Sequence, residues 1–145
     1  MIIDRYLNLP QLLKSKSYFL LGPRQTGKSF LIAHQLKADY VYNLLEPQTF
    51  LSLSQNVGLI SQQVLKMNAL VAIDEIQRLP SLLNEIHLLI EEKKCRFLLT
   101  GSSARKLKKG HANLLGGRAW RYELFPLVSK EIGKFNLLRA LNHGL

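Results

Sequence analysis

At 145 residues, 47% of them hydrophobic and 21% charged, the chain has the size and composition of a single globular domain able to bury about two-thirds of its unfolded surface. One cysteine, Cys95, excludes an internal disulfide framework and fits a reducing, cytoplasmic compartment; the formal net charge of +10 is high for this size. Met1-Ile2-Ile3-Asp4-Arg5 lacks the pattern of a secretory signal, and no apolar run approaches the length that spans a bilayer, so no membrane association is expected.

Tyr6 to Lys14 carries apolar residues at helical spacing interrupted by Pro10, which predicts one or two short helical turns. Tyr18-Phe19-Leu20-Leu21 then reads as a buried strand, and it runs directly into Gly22-Pro23-Arg24-Gln25-Thr26-Gly27-Lys28-Ser29. Gly-x-x-x-x-Gly-Lys-Ser is the spacing of a phosphate-cradling loop. Glycines at both ends let the backbone curl until successive N–H groups face phosphate oxygens. A helix predicted over Lys28 to Leu36 turns its positive dipole end to the same anion. Lys28 would reach the β- and γ-phosphates, and the Ser29 hydroxyl would ligate Mg²⁺. The expected nucleotide-binding set is therefore Gly22 through Ser29 with Phe30, the next residue of the helix.

A second strand is predicted over Asp39 to Leu45, ended by Glu46-Pro47, and two short helices between Gln48 and Lys66. Ala69-Leu70-Val71-Ala72-Ile73 is a continuous apolar run, as expected of a central parallel strand covered on both faces. It delivers Asp74 and Glu75 to its carboxyl end, the form of a Walker B strand. Asp74 would hold Mg²⁺ alongside Ser29, and Glu75 would orient or deprotonate an attacking water. Gln77 is either a polar contact, near that water or at a subunit interface, or a solvated turn residue. A helix opening near Leu79-Pro80-Ser81 carries Leu82, Leu83, Ile86, Leu89 and Ile90 on one stripe.

Phe97-Leu98-Leu99-Thr100 predicts a further strand ending at Gly101-Ser102-Ser103. Thr100 and Ser102 have two readings there, contact with the γ-phosphate or attacking water, and a strand-end turn with a helix cap. A basic helix is predicted over Ala104 to Leu115, then Gly116-Gly117, an edge strand over Ala119 to Phe125, and a C-terminal helix from Ser129. Arg118 and Arg121 follow the glycine pair and read either as surface arginines of a basic protein or as groups that stabilise charge on a transferred phosphoryl group; Arg118 is the better candidate for the second, in a neighbouring subunit of a homo-oligomer.

Nine basic residues and no acid lie between Glu92 and Glu123. Such a stretch suits contact with nucleic acid, neutralisation of nucleotide phosphates, or an acidic partner domain, and those readings stay open. The histidines at 34, 87, 111 and 143 are scattered and form no metal-ligand spacing.

Strands alternating with helices predict an α/β fold with a mostly parallel five-stranded sheet, and ligands beyond the carboxyl ends of its strands. The loop Gly22 to Ser29, Ile73-Asp74-Glu75-Ile76-Gln77, Leu99-Thr100-Gly101-Ser102-Ser103, and Gly117-Arg118-Ala119 with Phe125-Pro126-Leu127 form an ordered set. Together they resemble the ATPase domain of an uncharacterised group of prokaryotic AAA+ (P-loop) ATPases, over about Arg5 to Glu131. The resemblance implies ATP binding and hydrolysis by Lys28, Ser29, Asp74 and Glu75. It also implies Thr100 or Ser102 as the γ-phosphate sensor, and Arg118 as an arginine finger. Residues 1–145 are then one AAA+-like core domain, expected to lack the C-terminal domain usual in that group, with no candidate for a second sensor arginine. The alternative is a nucleotide-binding sensor or switch module that does not turn ATP over without a missing domain or partner; a small-molecule kinase fits less well, for want of an identifiable lid or acceptor pocket.

Overall fold

A computed structural model describes residues 9–14, 16–22, 28–102 and 118–123. In chain order these form α1 (Leu9–Leu12), β1 (Ser17–Leu21), α2 (Lys28–Gln35), β2 (Tyr40–Asn43), α3 (Pro47–Gln55) and α4 (Leu59–Gln63). Then follow β3 (Leu70–Asp74), a 3-10 turn (Ile76–Arg78), α5 (Leu82–Lys93), β4 (Arg96–Gly101) and β5 (Ala119–Glu123). The expected basic helix Ala104 to Leu115, the Gly116-Gly117 pair and the C-terminal helix from Ser129 lie outside the described residues.

The five strands form one sheet in the order β2-β3-β4-β1-β5, and every pairing is parallel. The sheet is thus wholly parallel where a mostly parallel one was expected. Period-two alternation sorts its side chains onto two covered faces. Phe19 and Leu21, Val71 and Ile73, and Phe97 and Leu99 all join one core, with Leu53 of α3, Ile60 of α4 and Leu82, Leu83, Ile86 and Leu89 of α5. Leu20, Ala72 and Leu98 point the other way, onto Ile32 of α2, with Leu36 and Leu13.

That alternation also decides where the polar residues go. Asp74 and Thr100 continue the Ala72 and Leu98 set, so both carry their side chains on the α2 face. Ile73 pairs with Leu99, which brings Asp74 and Thr100 level at adjacent strand ends. The chain leaving β1 next enters the sheet at one edge, β2, and the chain leaving β4 enters it at the other, β5. The ends of β1 and β4 therefore flank a topological switch point, where open α/β sheets bind ligands.

α5 starts at Leu82, slightly after the expected Leu79-Pro80-Ser81. The N–H groups of Leu82 and Leu83 donate to the carbonyls of Leu79 and Pro80, so the residues around Pro80 form a turn that feeds the helix. At the amino end of the sheet, the Asp39 carboxylate accepts the Leu70 N–H at 2.8 Å and the Lys66 ammonium at 2.7 Å. The Leu70 N–H, followed by Lys66, holds that carboxyl below its ordinary range. Cys95 is buried in the larger core as a packing residue, and desolvation there pushes its thiol pKa up.

Candidate functional site

The carboxyl ends of β1, β3 and β4 meet the first turn of α2. Gly22 leaves β1 with its N–H donating to the Gly101 carbonyl at 3.1 Å, so the start of the phosphate loop is tied to the end of β4. Lys28 and Ser29 return the chain at the head of α2, while Pro23, Arg24, Gln25, Thr26 and Gly27 lie outside the described residues. The Lys28 ammonium donates to the Gly22 carbonyl at 2.7 Å, bridging the two ends of the loop. Burial lowers the pKa of this lysine below its ordinary value, and the nearby charges of Glu75 and Asp74 oppose that shift. An ammonium beside two carboxylates suits an anion that arrives with a cation, because the carboxylates by themselves would repel a phosphate. Phe30 is exposed two residues on, its ring stacked on His34 at 3.8 Å.

Asp74 is the point where the three elements join. It is buried, and its Oδ2 accepts the Ser29 hydroxyl at 2.6 Å across 45 positions of sequence. Its Oδ1 accepts the Thr100 hydroxyl. The Thr100 oxygen in turn accepts the Glu75 N–H at 3.1 Å, so this fully buried hydroxyl is engaged as both donor and acceptor. Of the two readings open for Thr100, the structure places it between the acids, with its hydroxyl turned to them.

Glu75 steps off the end of β3 in the left-handed region, at φ 64° and ψ 50°. A non-glycine residue there costs about 1–2 kcal/mol, and the Thr100 bond helps to hold it. The 3-10 turn that follows carries Gln77 back towards the site. Its Nε2 donates to the Glu75 carboxylate and stands 3.5 Å from Ser102 Oγ. Gln77 is thus the site residue that sequence reasoning left undecided. Its separation from Glu75 offered no clue, since the reversal depends on a positive φ at a glutamate, which no turn residue announces.

Arg118 is not brought to this cluster. Ala119 pairs with Ser17, so Arg118 sits at the amino-terminal end of the sheet, about 15 Å or more along the strands from Gly22. It pairs there with Glu91 of α5, whose carboxyl it holds below its ordinary range. Lys16, Lys94, Arg96 and Arg118 line a cavity of about 260 Å³ at this end. The basic stretch is thereby partly absorbed into the fold. Lys93 donates to the Val64 carbonyl, and Arg96 donates to the Leu13 and Asn68 carbonyls. Arg121 is exposed on β5 opposite Phe19, and Arg105, Lys106, Lys108 and Lys109 lie outside the described residues.

Among the described residues, no group of three or more His, Cys, Asp or Glu side chains gathers to hold a metal, and no helix is long and apolar enough to cross a membrane. A family model described as an AAA domain matches residues 14–133, which takes in every described strand and the whole of the polar cluster. No match among curated proteins accompanies it.

Proposed function

The chain belongs to the AAA domain family and is a nucleotide-binding domain; from that premise we propose that it binds ATP with Mg²⁺ and hydrolyses it. The observation that carries this reading is the 2.6 Å bond between Ser29 and Asp74. The packing of α2 on this face of the sheet brings a hydroxyl at the head of the helix onto a buried strand-end carboxylate, and the pair forms beside the Lys28 ammonium and the carbonyl of Gly22.

The donor set fits a hard cation. One hydroxyl and one carboxylate oxygen suit Mg²⁺, which keeps several waters and takes its remaining ligands from phosphates, without a protein cage. Ser29 and Asp74 would hold it, and when bound it supplies charge neutralisation at the phosphate oxygens. The chain's own groups do the rest. Lys28 binds the β- and γ-phosphates as a mobile cation, and the loop from Gly22 to Phe30 wraps the phosphates. Glu75 accepts a proton from, or orients, the water that attacks the γ-phosphorus. Thr100 keeps the two acids in register, which leaves Ser102, half-buried at the end of β4, as the γ-phosphate contact.

Arg118 lies too far from its own loop to serve it, so the same reading assigns it to a neighbouring subunit's nucleotide, released there from Glu91. ATP turnover by wild type beside Glu75→Gln, with and without a Mg²⁺ chelator, tests the proposal. Turnover that requires Mg²⁺ and collapses in Glu75→Gln supports hydrolysis. Tight binding with no turnover in either protein favours the alternative, a sensor or switch module that holds nucleotide.

A further inference from the structure

Gln77 is the one polar side chain of the cluster that the proposed reaction leaves without a task. Its amide nitrogen donates to the Glu75 carboxylate, and its Oε1 is buried with no hydrogen-bond partner among the described residues. Seating it there requires that residue 101 lack a side chain, since a Cβ at Gly101 would stand 2.8 Å from Gln77 Oε1 and 3.2 Å from Leu21 Cδ2. A half-buried amide whose carbonyl oxygen is buried and unpaired is costly, and a glutamine side chain turned to solvent would avoid the orphan. Stability therefore does not account for its position.

We propose that Gln77 is a positioning residue that holds the Glu75 carboxylate in one orientation, with Oε2 engaged by the amide and Oε1 left to accept from water. The inference rests on Glu75 being the water-directing group of the proposed reaction. A carboxylate on a flexible stem samples several rotamers, and a fixed donor on one oxygen removes most of them. Orientation of this kind acts chiefly on the chemical step, because among the described residues the amide's hydrogen bonds go to Glu75 and, at 3.5 Å, to Ser102, and not to Gly22 or Lys28.

Gln77→Leu tests it, since leucine keeps the bulk while deleting both the donor and the unpaired carbonyl. Single-turnover ATP cleavage is expected to fall about 10- to 100-fold. Nucleotide affinity should stay within about twofold and Tm should not drop. In a Glu75→Gln background the same substitution should add no further loss, because the group it positions is already gone. Equal losses in both backgrounds, a lowered Tm that accounts for the defect, or faster turnover in Gln77→Leu would each overturn the proposal.

A second readout needs no turnover. The side-chain amide resonance of Gln77 in a ¹⁵N-labelled protein, assigned by its loss in Gln77→Leu, should move in Glu75→Gln. If wild type does not hydrolyse ATP yet that resonance moves, the contact stands and the hydrolysis reading falls. An unmoved resonance overturns the contact whether or not ATP is hydrolysed.

Discussion

Replacing Thr100 with valine probes how the strand ends are held together, because it preserves shape while removing one hydroxyl. That hydroxyl is fully buried, donates to Asp74 and accepts from the Glu75 N–H at 3.1 Å. Valine would leave a buried carboxylate one donor short and a backbone N–H without its acceptor. An unsatisfied buried group costs about 1–3 kcal/mol, and more when charged. Relaxation of the left-handed Glu75 returns part of its strain of about 1–2 kcal/mol. The net expectation is a loss of about 2–4 kcal/mol, a large share of the 5–15 kcal/mol typical of a domain. Urea unfolding at neutral pH reads it directly. With a slope of about 2 kcal/mol per M, the midpoint should fall by about 1–2 M. Thr100→Ser keeps the hydroxyl and deletes one methyl, so it should cost only about 1 kcal/mol. A Thr100→Val stability within about 0.5 kcal/mol of wild type, or a serine variant as weak as the valine, would refute the network described for this site.

Two further outcomes follow from other parts of the fold. Because the Asp39 carboxyl is held below its ordinary value of 3.8, first by the Leu70 N–H and then by Lys66, its contribution is fully present above that value and is lost as pH falls through the lowered one. Asp39→Asn should therefore lower the urea midpoint at pH 7 and narrow its difference from wild type at pH 3; an equal difference at both pH values would contradict this. If Arg118 serves a neighbour, specific ATPase activity should rise with protein concentration, and Arg118→Ala should bind ATP normally while turning it over about 10³-fold or more slowly. Mixing Arg118→Ala with Glu75→Gln should restore activity, and concentration-independent turnover without rescue would leave Arg118 as the partner of Glu91 alone.

Much of the candidate site was legible where its residues follow fixed local spacings. The run Tyr18 to Leu21, the glycines at 22 and 27, Lys28, Ser29 and the apolar strand before Asp74 are each local signals, and the described ones come together in space. The apolar stretches at 69–73 and 97–100 revealed buried strands for the same reason, since both faces of a parallel sheet are covered. Strand order was not legible, because a strand–helix alternation is compatible with several orders and only pairing places β1 between β4 and β5. Nor could the position of Thr100 between Asp74 and the Glu75 N–H be read from the residues, as it depends on the register that sets it level with Asp74. Gln77 was hidden by a positive φ at Glu75, and Arg118 by the register that pairs Ala119 with the start of β1. In each of these cases the missing information is a contact between distant parts of the chain.

The central claim is that Lys28 and the loop it closes bind the phosphates of a nucleotide. Equilibrium binding of a labelled ATP analogue with Mg²⁺, compared between wild type and Lys28→Ala, tests it most directly. The buried ammonium bonds the Gly22 carbonyl and, on this account, pairs with the phosphates, so its removal should abolish tight binding while far-UV circular dichroism stays that of a folded α/β domain. Unchanged affinity in a folded Lys28→Ala protein would contradict the assignment.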